Sequence, residues 1–213
     1  LAPADLKKEG SCFDLAIAVG ILKATEQLVG ADCSGTVFLG ELALDGSLRP
    51  VAGILPIIVS AKAAGYGKFV IPAANAKEAA YIEGAETFAL KNLTEVIDHL
   101  SGLAPARPVA AAKYESGRSE YADDLKYVRG QAAAKRALEV AVSGGHNILF
   151  VGPPGTGKTM LARCIPTIMP DMTFDEALEV TKIHSVAGIL GGNGIVTLRP
   201  FRSPHHTATT ASL

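Results

Sequence analysis

Residues Gly152-Pro153-Pro154-Gly155-Thr156-Gly157-Lys158-Thr159 constrain this chain more than any other stretch. Glycines, a lysine and a hydroxyl at the G-x-x-x-x-G-K-[ST] spacing suit a loop that wraps closely around phosphate oxygens. The run before it, Asn147-Ile148-Leu149-Phe150-Val151, is apolar and suited to a buried strand. The run after it, Met160-Leu161-Ala162-Arg163-Cys164-Ile165, has helix-compatible spacing. Strand, glycine loop and helix in that order are the context this motif needs. Backbone N–H groups then point inward as donors, and the helix N-terminus adds partial positive charge. A nucleoside-triphosphate site is therefore expected at Gly152, Pro153, Pro154, Gly155, Thr156, Gly157, Lys158 and Thr159. Lys158, the candidate catalytic residue, would reach the β- and γ-phosphates, and the Thr159 hydroxyl would ligate Mg²⁺.

The rest of the sequence bounds the setting. With 213 residues, 48% of them hydrophobic and 19% charged, the chain has material for one large or two small cores. No apolar stretch reaches the roughly 18 residues that cross a bilayer, so no membrane partner is expected. A net charge of −1 gives no global attraction to nucleic acid, so any such contact must be local. Cys12, Cys33 and Cys164 fit neither a disulfide framework nor a zinc spacing, which favours a reducing, cytoplasmic setting. The chain starts Leu1-Ala2-Pro3 and stops at Leu213 without a cap, and is read as a fragment cut at both ends.

Periodicity and punctuation suggest two α/β domains. In the first, Phe13–Leu28 reads as a helix. Thr36–Leu44 and Ser47–Val51 flank an Asp45-Gly46 hairpin turn. A helix over Ile54–Ala64 is closed by Gly65, and a strand over Lys68–Ile71 is stopped by Pro72. Asn75–Ile82 reads as helix, Thr87–Leu90 as strand, and Leu93–Leu100 as a helix capped by Asn92. Residues 1–101 form this domain, and 102–119, with its prolines and alanines, is a linker. The second domain, 120–213, opens with Asp124–Gln131 and a helix over Ala132–Val142. Beyond the glycine loop come a helix over Phe174–Ile183 and a strand over Ile195–Leu198.

Asp124-Leu125-Lys126-Tyr127-Val128-Arg129-Gly130-Gln131, about twenty residues ahead of the loop, resembles the adenine-side segment of AAA+ ATPases. The resemblance implies ATP as the nucleotide, with Val128, Gly130 and Gln131 near the base. Arg199-Pro200-Phe201-Arg202-Ser203-Pro204-His205-His206-Thr207 looks like the tag of the magnesium-chelatase-like branch. His205 and His206 are adjacent, so on a strand they point to opposite faces and suit no shared ion. From Leu1-Ala2-Pro3-Ala4-Asp5-Leu6 through Lys8-Glu9-Gly10-Ser11-Cys12-Phe13-Asp14-Leu15 to that tag, the whole chain resembles the ComM/YifB family. That resemblance implies a hexameric AAA+ motor acting on branched or single-stranded DNA, promoting branch migration when incoming DNA recombines. It further implies that the Walker B acids, sensor and arginine finger have no match before Leu213. A piece without them would bind ATP but not turn it over. The basic pairs Lys7-Lys8, Lys135-Arg136 and Arg199/Arg202 are the local candidates for DNA contact, though such pairs are more often solvated surface, and Gly188–Gly194 is either a pore-facing loop or an ordinary helix-to-strand connection.

The first domain resembles the proteolytic domain of Lon-type proteases, whose serine nucleophile is paired with a lysine base. Where that family has D-G-P-S-A-G, this chain has Glu9-Gly10-Ser11-Cys12-Phe13-Asp14, with Cys12 at the nucleophile position. The base lysine follows P-I-G-G-L, and here Leu55 follows Pro50-Val51-Ala52-Gly53-Ile54. Leucine accepts no proton, and a nucleophile without a base within reach is not activated. Lys62 lies about two helical turns, roughly 10 Å, further on. The expected fold is thus a Lon-protease-like α+β domain, non-proteolytic, followed by the start of a P-loop NTPase parallel-sheet domain. Three other functions compete with the DNA motor: a magnesium-chelatase-type ATPase subunit, a Lon-like ATP-dependent protease that Leu55 disfavours, and a non-enzymatic scaffold that retains the phosphate loop for structure.

Overall fold

A computed structural model of the chain describes residues 11–28, 30–117, 121–192 and 194–204. They form a mixed α/β structure of two compact units. The first takes Leu1–Tyr114 together with Asp175–Val196, and the second takes Glu115–Phe174 and Thr197–Leu213.

The first unit is built on a parallel sheet in the order β1-β4-β5, from Thr36–Phe38, Lys68–Pro72 and Glu86–Leu90. β4 lies in the middle, and its apolar run is explained by burial on both faces. Side chains alternate along a strand, so Phe69 and Ile71 enter one core and Val70 the other. Phe69 and Ile71 meet α2 (Ile54–Ala63) through Ile54 and Ile58, and α3 (Ala76–Ala79) through Ala79. Val70 joins Phe88 and Leu90 of β5. On that face it meets Leu15 and Val19 of α1 (Asp14–Ala24) and Val96 of α4 (Leu93–Ser101). Pro72 pairs with Leu90 at the end of the ladder, and the chain turns away there. The α4 start is fixed by Asn92, whose side chain accepts from the Glu95 N–H at 2.8 Å.

Two local expectations are corrected. Thr36–Leu44 is not one strand: it breaks after Phe38, and Glu41–Leu42 (β2) pairs instead with Leu48–Arg49 (β3) in a separate antiparallel hairpin. The break falls where Gly40 passes the core. A Cβ there would lie 3.3 Å from Leu48 and 3.4 Å from Leu15. The Asp45-Gly46 turn is as expected, with Gly46 at φ +83°. The first helix stops at Ala24, short of Leu28, because Glu26 takes a left-handed conformation, φ +58°. Residues 102–117 hold no regular element. Within the first unit, this stretch is nonetheless tied down at Val109, whose N–H bonds the Thr87 carbonyl (2.7 Å), and at Ala112, whose N–H bonds the Ala80 carbonyl (2.9 Å).

The second unit is helical among its described residues: α5 (Ala132–Ser143), α6 (Lys158–Arg163) and two 3₁₀ turns at Leu125–Tyr127 and Ile165–Ile168. The strand expected over 147–151 forms no ladder, and neither does the one expected over 195–198. A strand exists only beside another, and no neighbour pairs with either run among the described residues. The period of two survives without it. Ile148 and Phe150 pack into the core of this unit, whereas Leu149 and Val151 are 85% and 87% exposed.

The helix α7 (Phe174–Val186) is grouped almost entirely with the first unit. Ser185 Oγ donates to Glu78 Oε2 at 2.7 Å, and the Ser185 carbonyl accepts from Gly53 N–H at 3.0 Å. Beyond α7, Gly194 is in the left-handed region (φ +82°), and a Cβ on it would stand 2.7 Å from the Lys77 carbonyl oxygen. This closes one end of the Gly188–Gly194 loop against α3, leaving Ile189 half exposed.

Candidate functional site

The glycine loop takes the shape its composition suits. Gly155 and Gly157 adopt left-handed conformations (φ +81° and +83°) that a side chain would strain, and Gly157 leads directly into α6. Thr156 Oγ1 donates to the Pro153 carbonyl at 2.9 Å, closing the loop on itself. The Lys158 ammonium donates to the carbonyls of Gly152 (2.8 Å) and Pro153 (2.6 Å), so it is turned into the curve of the loop. Gly152, Pro153, Pro154, Gly155, Thr156 and Thr159 are exposed. A Cβ at Gly155 would meet nothing within 4 Å. An open curve of backbone with an ammonium inside it and a hydroxyl at the helix start fits a triphosphate and Mg²⁺.

Val128, Gly130 and Gln131 sit on a different segment. Val128 is 6% exposed and shares one small core with Leu125, Leu138 of α5 and Leu161 and Cys164 at α6. That core therefore joins the segment expected beside a base to the helix that follows the glycine loop. Gly130 and Gln131 are consecutive left-handed residues, φ +64° and +56°, and kink the chain into α5.

The Lon-like centre is not assembled. Cys12 is half-buried, and burial pushes its thiol above the ordinary value, with Asp14 adding to the rise and a backbone hydrogen bond opposing it. A nucleophilic thiol needs the opposite shift. Leu55 is fully buried. Lys62 donates to the Glu83 carbonyl. The stretch leading to Leu55 is tied up by Asn75, whose side chain accepts from Val51 N–H (3.1 Å) and donates to the Val51 carbonyl (3.0 Å) and to Glu78 Oε1 (2.8 Å). This polar clasp left no motif in the sequence and was not foreseen there.

His99 is structural. Its ring lies 4.3 Å from that of Phe88, and Nδ1 accepts from the Ala106 N–H at 3.1 Å. Burial lowers its pKa from the ordinary 6.5, with Glu86 opposing and Lys68 assisting. A depressed folded value means the unfolded chain binds the proton first as pH falls. The stabilisation is thus complete above about pH 6.5 and is lost as pH drops through the lower folded value. Thermal unfolding followed from about pH 7.5 to about 5.5 should show a falling midpoint in the natural protein and a shallower fall in His99→Gln. Equal slopes would remove His99 as the cause.

Of the basic candidates, Arg199 Nε donates to the Pro170 carbonyl at 2.7 Å. Lys7-Lys8, His205 and His206 lie outside the described residues. Among the described residues no group of three or more His, Cys, Asp or Glu is placed to hold a metal, and no helix is long and apolar enough to cross a membrane.

Comparison with known proteins gives matches along the whole chain. Residues 124–213 match the family model described as magnesium chelatase, subunit ChlI, and residues 1–75 match that of subunit ChlI of Mg-chelatase. Competence protein ComM of Haemophilus influenzae is 41% identical over 218 residues, covering 100% of this chain and 42% of ComM. Protein YifB of Salmonella typhimurium, uncharacterized, is 41% identical over 214 residues, again 100% of this chain and 42% of YifB. Lon protease 2 of Bacillus subtilis is 32% identical over 100 residues, 46% of this chain and 18% of the protease. The chain thus spans less than half the length of each of these relatives.

Proposed function

Because the chain belongs to the magnesium-chelatase-like ComM/YifB family, we propose that it is the ATP-binding portion of a motor that remodels DNA. The observation that carries the nucleotide part is the loop geometry. Two left-handed glycines lead into α6, and Lys158 is turned into the loop curve. In this reading the backbone of Gly152–Thr159 binds the phosphates, Lys158 neutralises charge on the β- and γ-phosphoryl oxygens, and the Thr159 hydroxyl ligates Mg²⁺. The ion that Thr159 would hold would supply positive charge to offset the negative charge of the phosphates. Val128, Gly130 and Gln131 flank the base.

The domain division proposed is 1–101, Lon-like, and 120–213, AAA+, separated by 102–119. The family matches at 1–75 and 124–213 support it. The first domain serves as a scaffold or partner-binding module, supported by the buried Leu55 and the raised Cys12 thiol. DNA is the proposed substrate of the intact protein, supported by full-chain likeness to a protein named for competence. A hexameric ring and a cytoplasmic location belong to the same proposal. The descriptions of the matching family models favour one second reading, ATP-driven Mg²⁺ insertion into a tetrapyrrole.

The deciding experiment is ATP turnover by the intact parent protein, with and without a four-way DNA junction. Junction-stimulated turnover, several-fold above the basal rate, is the expected result. Turnover unmoved by any DNA would overturn the DNA reading and leave the tetrapyrrole one to be tried.

A further inference from the structure

Lys135 and Arg136 are neighbours in sequence but part company in the structure. Arg136 lies on the surface of α5 and pairs with Glu139 at 2.9 Å, with both side chains exposed. Lys135 turns inward: it is half-buried, and its ammonium donates to the Val128 carbonyl. No ion pair with a carboxylate takes it among the described residues. Its own main-chain N–H bonds the Gln131 carbonyl at 2.9 Å. One residue therefore holds both ends of the 128–131 kink, the side chain at one end and the backbone at the other.

That kink needs holding. Gln131 has a Cβ and sits at φ +56°, directly after Gly130 at φ +64°. A non-glycine residue keeps such a conformation only where its surroundings fix it. Val128 is anchored by its apolar neighbours Leu125, Leu138 and Leu161, which leave its carbonyl as the polar point where the segment can be steered. A charged donor on a half-buried carbonyl is among the stronger hydrogen bonds available for this.

We infer that Lys135 is a positioning residue for nucleobase selection: it fixes the Val128–Gln131 segment so that its backbone presents one shape to the purine edge. The inference rests on the nucleotide-site reading above and deepens it. The phosphate loop is a separate segment, 152–159, closed by its own Thr156 and Lys158 contacts. Loss of Lys135 loosens recognition of the base and leaves the grip on the phosphates.

The test uses the intact protein and compares binding of Mg·ATP and Mg·GTP, with steady-state ATP turnover alongside. In Lys135→Met the preference for ATP over GTP falls about tenfold, the loss of one charge-assisted hydrogen bond. KM for ATP rises, and kcat stays within about twofold. Lys135→Arg, whose guanidinium can donate to the same carbonyl, restores most of the preference. Equal weakening of both nucleotides, an unchanged ratio, or a natural protein with no preference for ATP would overturn the inference. A variant that merely folds poorly lowers the unfolding midpoint without changing the ratio, which also counts against it. A natural protein that binds neither nucleotide would instead overturn the nucleotide-site reading itself.

Discussion

Lys158→Ala in the intact protein is expected to lower ATP turnover by on the order of 10²- to 10³-fold, the scale set by removing one preorganised charge-stabilising donor. The ammonium is the single full positive charge that the loop itself places within its curve, and it is held there by the Gly152 and Pro153 carbonyls. Alanine removes the charge, both carbonyl bonds and a longer one to Thr156 Oγ1 at 3.4 Å. The loop is exposed and lies outside the small apolar core of its unit. The fold should therefore lose only about 1–2 kcal/mol, the net worth of the hydrogen bonds involved. Turnover, nucleotide binding and the unfolding midpoint measured together separate the two effects. A mutant that keeps its turnover would show the loop to be a structural relic. A mutant that loses turnover together with most of its stability would show the loop to be part of the core.

The second large effect is expected at Leu55, where a lysine would restore the base that Lon-type chemistry needs. Leu55 has no solvent exposure. An ammonium placed there has no carboxylate supplied with it, and burying an unpaired charge costs about 3–5 kcal/mol. Leu55→Lys should therefore unfold at markedly lower denaturant than the natural protein, whereas Leu55→Met, nearly equal in volume, should cost less than about 1.5 kcal/mol. Cleavage of a fluorogenic peptide should stay absent in both, since the Cys12 thiol is held up rather than down. A stable, peptide-cleaving Leu55→Lys protein would show instead that the proteolytic centre is intact but for one residue.

What the sequence made legible follows the range of the forces involved. Turn, cap and helix-start signals were accurate, whereas the end of the first helix was not. Asp45-Gly46 turns, Asn92 caps, Pro72 ends a strand, and the helices at Ile54, Leu93 and Ala132 start where expected. The tight turn into α6 was readable because its left-handed glycines, Gly155 and Gly157, lie within eight consecutive residues. Pairing was not readable in the same way. Whether Thr36–Leu44 runs in one sheet or two depends on how Gly40 passes Leu15 and Leu48, and contact between distant segments leaves no periodic trace. The same holds for Ile148 and Phe150, whose alternation is that of a strand although no ladder forms around them. Glu78 accepts from Asn75, which holds Val51, and from Ser185, 107 residues further along the chain. No motif announces a bond of that span.

One consequence follows from the discontinuity of the first unit. The chain leaves it after Tyr114, returns at Asp175, and leaves again after Val196. Residues 152–159 thus lie on a detour whose two ends both return to the first unit. A gene fragment divided at residue 102 or 119 would not yield two autonomous pieces. The upstream piece would lack the helix that supplies Ser185 to Glu78, and the downstream piece would carry that helix with its partner face bare. Recombination between relatives of this protein should accordingly favour crossovers that keep residues 78 and 185 from one parent, because the Ser185 hydroxyl bond to the Glu78 carboxylate needs both side chains.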